Sequence, residues 1–263
     1  MVNGFQIKLS SKEILLLAAL MGYESVFCIE EKFFLDANYD LRSMVRQYVR
    51  RLERKKLIRY DLDGVLYIIP SLRQAIDCIC NAETVGIFST NVKSSKKSSI
   101  YVTEKKDTVT TIEHIGNRKY VICITDNVYL KRIIPCEILS SQYCELREKM
   151  LFEEAEYVHS LIQAFNHDDA EAYIEKHIKN SASINVISNI LSGNCKYMSV
   201  QIYRKRKKIY NAIYNSLLVV IDNCTISLVA DENGVLCFEA VSPVNVVEQI
   251  SSQFKLSEKR GAV

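Results

Sequence analysis

Only eight of the 263 residues are glycine and three are proline. So little glycine leaves few loops that could cradle a phosphate, and no phosphate loop, G-x-G-x-x-G, G-x-S-x-G or H-E-x-x-H occurs. No apolar run approaches the roughly 20 residues of a membrane-spanning helix. The run Leu217 to Ile221 has the length of a buried strand. The opening Met1-Val2-Asn3-Gly4-Phe5 lacks the basic segment and apolar stretch of a secretory leader. Charge of one sign is not in large excess. The net charge of +3 and pI of 8.3 fall short of the pI above about 9 that marks a basic nucleic-acid-binding domain.

Nine cysteines are present, an odd number scattered along the chain, several inside apolar runs such as Val121-Ile122-Cys123-Ile124. That pattern points to buried free thiols in a reducing, cytoplasmic compartment, not to a disulfide framework. Cys78-Ile79-Cys80 has one intervening residue where a zinc knuckle needs two to four, and no histidine pair follows it. His159, His167 and His177 have no nucleophile or carboxylate at a telling spacing and read as surface or capping residues. Glu153-Glu154-Ala155-Glu156 reads as the solvated face of a helix. The expectation is a non-enzymatic protein with no catalytic residues, no metal and no cofactor.

What is present is the material of a sizeable core. Hydrophobic residues make up 48% and charged residues 25%, an ordinary globular mix. The length exceeds the ~100–200 residues of one typical domain, so two small lobes or one large layered domain are open.

The first helix is announced by a capping box, Ser10 with Glu13, and by Leu9 and Ile14 placed as a hydrophobic staple. It ends at Gly22. A second helix is expected over about 40–56, with Leu41, Met44, Val45, Tyr48, Val49 and Leu52 on one face. Residues 57–69 then read as strand, Asp-Gly turn and strand, and Pro70 as the first position of a third helix. From about Thr84 the period switches to two, which predicts strands at 84–89, 99–104, 108–113 and 119–125, with Val92–Ser99 a polar loop. The second half predicts a long helix over 141–166 and shorter ones near 168–179 and 182–191. Strands follow near 197–203, 209–221, 224–230 and 235–241, and a last helix is capped by Ser242 and opened by Pro243. Helices followed by a meander, twice over, predict an α+β fold with one shared antiparallel sheet.

Two basic clusters stand out. Arg42, Arg46 and Arg50 form a row on the second helix, which a short hairpin follows, as in a winged-helix DNA-binding module. The hairpin tip, however, carries Asp61 and Asp63, which repel phosphate. The second cluster, Arg204-Lys205-Arg206-Lys207-Lys208, lies between two strands and reads as an exposed hairpin tip whose self-repulsion resists edge pairing.

The opening Lys8-Leu9-Ser10-Ser11-Lys12-Glu13, the stretches Met21-Gly22-Tyr23 and Leu52-Glu53-Arg54-Lys55-Lys56-Leu57-Ile58, and the C-terminal order of strand, basic hairpin, long strand, strand, Asn233-Gly234 turn, strand and Pro243 helix carry a resemblance. In this layout the chain resembles the EspG family of type VII (ESX) secretion-associated proteins, particularly its relatives in low-GC Gram-positive bacteria. The resemblance implies a pseudo-two-fold fold, a central antiparallel sheet flanked by two helical lobes, the first winged-helix-like. Its parts would be residues 1–83 and 140–196 as helical lobes, with 84–139 and 197–263 as halves of the sheet. It also implies a cytosolic chaperone or adaptor for a secreted helical protein or heterodimer, working with the secretion machinery and without membrane insertion or specific nucleic-acid binding. By position, the partner contacts would fall on the Val92–Ser99 loop, with Val92, Lys93, Lys96 and Lys97, and on the helices between 141 and 191. The alternative is a DNA-binding regulator using Arg42, Arg46 and Arg50.

Overall fold

Ser10 ends one strand and caps the helix that follows. In this computed structural model, which describes residues 5–29, 41–91, 98–125, 130–164, 167–178, 181–193 and 195–255, β1 (Gln6–Ser10) runs directly into α1 (Ser11–Leu20). The capping box forms as its residues require. The Ser10 hydroxyl accepts from the Glu13 amide at 3.3 Å, and Glu13 Oε2 accepts from the Ser10 amide at 2.8 Å. Gly22, at φ +83°, lets the chain turn away after the helix.

α2 (Leu41–Arg54) turns its Met44, Val45, Tyr48, Val49 and Leu52 toward the N-terminal core. The hairpin β2 (Ile58–Tyr60) and β3 (Leu66–Ile68) forms a separate two-stranded sheet. Its turn is held by Asp61 Oδ1, which accepts from the amides of Asp63 at 3.0 Å and Val65 at 2.7 Å. α3 (Pro70–Cys80) follows, with Leu72, Ala75, Ile76 and Ile79 fully buried.

The strands expected after Thr84 all form. They are β4 (Thr84–Thr90), β5 (Ser98–Lys105), β6 (Thr108–His114) and β7 (Lys119–Thr125). Two short helices, α4 (Leu130–Ile133) and α5 (Cys136–Leu139), come next. The expected helix over 141–166 is corrected. Its first part is the strand β8 (Arg147–Leu151), and only Phe152–Gln163 is helical, as α6. The four-residue spacing of Leu146 and Met150 imitates a helical face, but pairing of β8 with a later strand decides the conformation. Met150 is buried, whereas Leu151 is half exposed. α7 (His167–His177) and α8 (Ser181–Leu191) lead into β9 (Lys196–Arg206), β10 (Ile209–Ile221), β11 (Cys224–Ala230), β12 (Val235–Ala240) and α9 (Pro243–Ser251). Among the described residues no helix is long and apolar enough to cross a membrane.

The large sheet has ten strands in the order β1-β7-β6-β5-β4-β9-β10-β11-β12-β8. Every neighbouring pair is antiparallel. The two halves meet at β4 and β9, where Thr84 lies opposite Arg204 and Thr90 opposite Met198. From that seam outward each half has the same plan. Four strands meander toward an edge, and the strand that precedes the helices of that half closes it. These closing strands, β1 and β8, are the two that local periodicity does not predict.

Three apolar clusters hold the layers. One joins α1, α2, α3 and the β2–β3 hairpin to β1, β6 and β7. A second joins α6, α7 and α8 to β10, β11 and β12. A third packs α4, α5 and α9, with Phe254, against the central strands. Fully burying side chains the size of Phe88 or Phe254 contributes about 1.5–3 kcal/mol each.

Candidate partner-binding surfaces

Alternation along the central strands divides the two sheet faces sharply. Phe88 lies opposite Val200 and Ile100, and Val200 opposite Ser216. With Gly86, Met198, Ile202, Leu218 and Val102 these residues line the face covered by α4, α5 and α9, and nearly all are buried. The residues between them point the other way. Ile87 lies opposite Gln201, Gln201 opposite Asn215, and Ser89 opposite both Ser99 and Ser199. Ile87, Ser89, Ser99, Ser199 and Gln201 are only half buried, and Asn215 is exposed.

This second face is covered on both sides of the centre. Tyr101, directly opposite Ile87, packs with the α1–α3 cluster, and Leu217, directly opposite Ser199, packs with the α6–α8 cluster. The central strands are thus the open floor of a saddle between two helical groups. The floor is mixed in chemistry: one isoleucine, three serines and two amides. The Ser89 and Ser99 hydroxyls bond each other at 3.0 Å, and the Tyr203 hydroxyl donates to Gln201 Oε1 at 3.3 Å.

One end of the saddle is fixed by Asn91. Its amide donates to the Tyr197 carbonyl at 3.2 Å, its Oδ1 accepts from the Tyr197 amide at 2.7 Å, and its Nδ2 donates to the Cys195 carbonyl at 3.0 Å. Val92, Lys93, Lys96 and Lys97, the candidate partner-binding residues of the following loop, lie outside the described residues. At the other end an aromatic group ties the N-terminal helices to the long β9–β10 hairpin. The Phe27 ring lies 6.0 Å from Tyr203 and 5.1 Å from Tyr210, whose hydroxyl donates to the Ala82 carbonyl at 2.8 Å. Sequence periodicity marked these strands but not the saddle, because only the register shows which of their faces is left open.

The arginines of α2 fall where their spacing put them. Arg42, Arg46, Arg50, Arg51 and Arg54 are exposed, on the side opposite the buried Leu52. Ser43, Arg46, Gln47, Arg50, Arg51 and Arg54 line one shallow groove, and the Arg51 guanidinium stacks over Tyr48 at 5.2 Å. The neighbouring β2–β3 turn exposes Leu62 completely and Val65 by 61%, beside the carboxylates of Asp61 and Asp63.

His159 Nδ1 bonds the Leu191 carbonyl at 2.6 Å, and His177 Nε2 lies 3.3 Å from Glu154 Oε1. All nine thiols are free, and burial pushes Cys28 and Cys80 up to about 12. Among the described residues no group of three His, Cys, Asp or Glu side chains is placed to hold a metal ion. No protein-family model matches the chain, and no curated protein sequence matches it.

Proposed function

We propose that this protein is a cytosolic chaperone or adaptor that holds a helical substrate of a type VII (ESX-like) secretion system, and that its architecture is the pseudo-two-fold, EspG-like one. The observation that carries the reading is the open saddle at the β4–β9 seam, set between two helical groups by two halves of one sheet with the same order of elements. Such a floor suits the tip of a helical bundle. Ile87 offers an apolar contact, and the serines, Gln201 and Asn215 offer hydrogen bonds that remain satisfied by water when the partner is absent. Lys93, Lys96 and Lys97, which follow Asn91 in the sequence, carry charge that steers an acidic partner and speeds encounter more than it deepens affinity. Enzymatic activity forms no part of this proposal.

Co-expression with each pair of small helical secreted proteins encoded in the same genome tests it. The expected result is co-purification of one pair as a soluble complex. Failure to capture any such pair, by a protein that is folded and monodisperse, removes the chaperone reading.

A second reading is favoured by one arrangement: the arginine row of α2 followed by the β2–β3 hairpin, the order of a winged helix. Asp61 and Asp63 at the hairpin tip oppose it. Any duplex binding through Arg42, Arg46 and Arg50 is expected to be weak and to collapse as salt rises. A tight, salt-resistant complex with one duplex, lost in Arg46→Glu/Arg50→Glu, would establish the regulator instead.

A further inference from the structure

The two outer strands of the large sheet carry the charges that protect an edge: Lys8 in β1, and Arg147, Glu148 and Lys149 in β8. An inner strand has an edge without them. β10 pairs with β9 from Ile209 to Val220 but with β11 only from Leu217 to Ile221. From Ile209 to Asn215 its outer backbone edge therefore has no strand beside it among the described residues. The sequence there is Ile-Tyr-Asn-Ala-Ile-Tyr-Asn, free of charge and of proline. Ile209, Asn211, Ala212 and Asn215 are exposed, Ile209 by 68%. A register shift between Ala212 and Tyr214 adds local twist. It leaves Ile209–Ala212 regular, longer than β2 or β3, which pair over three residues.

The ends of this notch are oppositely charged. Its outer end is the β9–β10 turn, with Arg206, Lys207 and Lys208. Its inner end is the β11–β12 turn, where β11 stops at Ala230 and Asp231 and Glu232 follow. Asp231 Oδ1 accepts from the Asn233 and Val235 amides at 2.8 and 2.9 Å and so holds that turn in place.

We propose that the Ile209–Asn215 edge is the contact between two copies of this chain, paired antiparallel about a two-fold axis. Antiparallel pairing runs the second copy's β10 into the notch with its basic turn inward, against the first copy's Asp231 and Glu232. The two-fold axis repeats the contact, so acid meets base at both ends. A parallel arrangement would instead place the two basic turns side by side. Main-chain hydrogen bonds supply the attraction, and the charged turns select direction and partner. The pairing engages the backbone edge of Asn215, whose side chain lies on the saddle floor, and none of the α2 arginines, so it rests on observations separate from those behind the chaperone proposal.

Sedimentation velocity of the full chain over a concentration series is the test, with hydrogen exchange as the second measurement. The wild-type chain should show a monomer–dimer equilibrium, and the outward amides of Ile209–Asn215 should gain protection as dimer forms. Lys207→Glu/Lys208→Glu should raise the dissociation constant about tenfold or more, since like charges then face each other. Adding Glu232→Lys to that variant, with Asp231 left to hold the turn, should recover part of the lost affinity. Circular dichroism of each variant establishes that it is folded. A wild-type chain that stays monomeric throughout overturns the proposal. So does a dimer in which these amides remain unprotected, or one that is indifferent to both charge reversals.

Discussion

Lys55 Nζ lies 2.6 Å from Glu13 Oε1, so one carboxylate caps α1 through Oε2 and anchors the end of α2 through Oε1. Glu13 is only 5% exposed at its side chain, and Lys55 is 41% exposed. The cost of breaking the pair should therefore be uneven. Glu13→Ala removes the capping box and the inter-helix contact, and should cost about 2 kcal/mol in urea unfolding, a lost cap alone being worth about 1. Lys55→Ala should cost less, because its charge is partly solvated and Ser10 still donates to the carboxylate. The reverse order would show that the ion pair, not the cap, is the main contribution of Glu13.

Asp77 joins three elements. It accepts from the Tyr23 hydroxyl, from Asn81 Nδ2 at 3.2 Å and from Lys105 Nζ at 2.6 Å. Burial by itself would raise its pKa. The bonds from Lys105, Tyr23 and Asn81 outweigh that and hold it below the ordinary carboxylate value. A carboxylate depressed in the folded state contributes stability above its unfolded pKa and loses it as pH falls through the folded value. Part of the acid-side loss of stability should thus disappear in Asp77→Asn, which should also be less stable at neutral pH. Tyr23 moves oppositely: burial and the neighbouring carboxylate push it up to about 12. Its contribution is complete below the unfolded tyrosine value of about 10 and is lost above it. Burial raises Tyr210 and Tyr214 as well, so ultraviolet titration should find several tyrosines ionising late, and Tyr23→Phe should remove one of them.

Gly86 sits in β4 on the covered face, where a Cβ would come within 2.8 Å of Phe254 Cζ and 2.8 Å of Phe88 Cε2. Phe254 is fully buried and Phe88 nearly so, so neither ring can move aside freely. Gly86→Ala should destabilise by about 1–3 kcal/mol through overpacking, although alanine is otherwise the better strand residue. A neutral or stabilising result in thermal denaturation would mean that the rings can shift away from Gly86.

Much of this architecture was readable from local signals. Ser10 with Glu13, Pro70, and Ser242 with Pro243 set three helix starts directly, because capping chemistry depends on residues a few positions apart. The eight meander strands were likewise visible in their period of two. The edge strands were not. Gln6–Ser10 and Arg147–Leu151 are each five residues long, and their pairing with β7 and β12 is a matter of distant partners. Arg147–Leu151 even carried a helical spacing. The saddle escaped for the same reason. Ile87, Ser199 and Gln201 are far apart or unremarkable in sequence, and only the β4–β9 register makes them one surface. The basic stretch Arg204–Lys208 reads as a hairpin tip, yet only Lys207 and Lys208 form the turn, while Arg204, Lys205 and Arg206 pair within the hairpin; the unguarded edge beside them depends on where β11 stops.

The saddle reading yields its sharpest test in neighbouring residues of one strand. Val200 and Gln201 are adjacent in β9, yet alternation sends them to opposite faces. Val200 is fully buried against the α4–α5–α9 layer. Val200→Asp would bury a carboxylate with no partner and should cost several kcal/mol, enough to unfold a marginally stable domain. Gln201 is half buried on the open floor, so Gln201→Arg can extend its charge into solvent and should change stability by no more than about 0.5–1 kcal/mol. If the floor receives the helical partner, that same arginine obstructs it, and so does Ser199→Arg two residues away. Both folded variants should then lose co-purification with the partner captured by the wild-type chain, while Asp222→Asn in the β10–β11 turn should retain it. Undiminished capture by folded Gln201→Arg and Ser199→Arg would place the partner elsewhere on the molecule and leave the saddle without a role in binding.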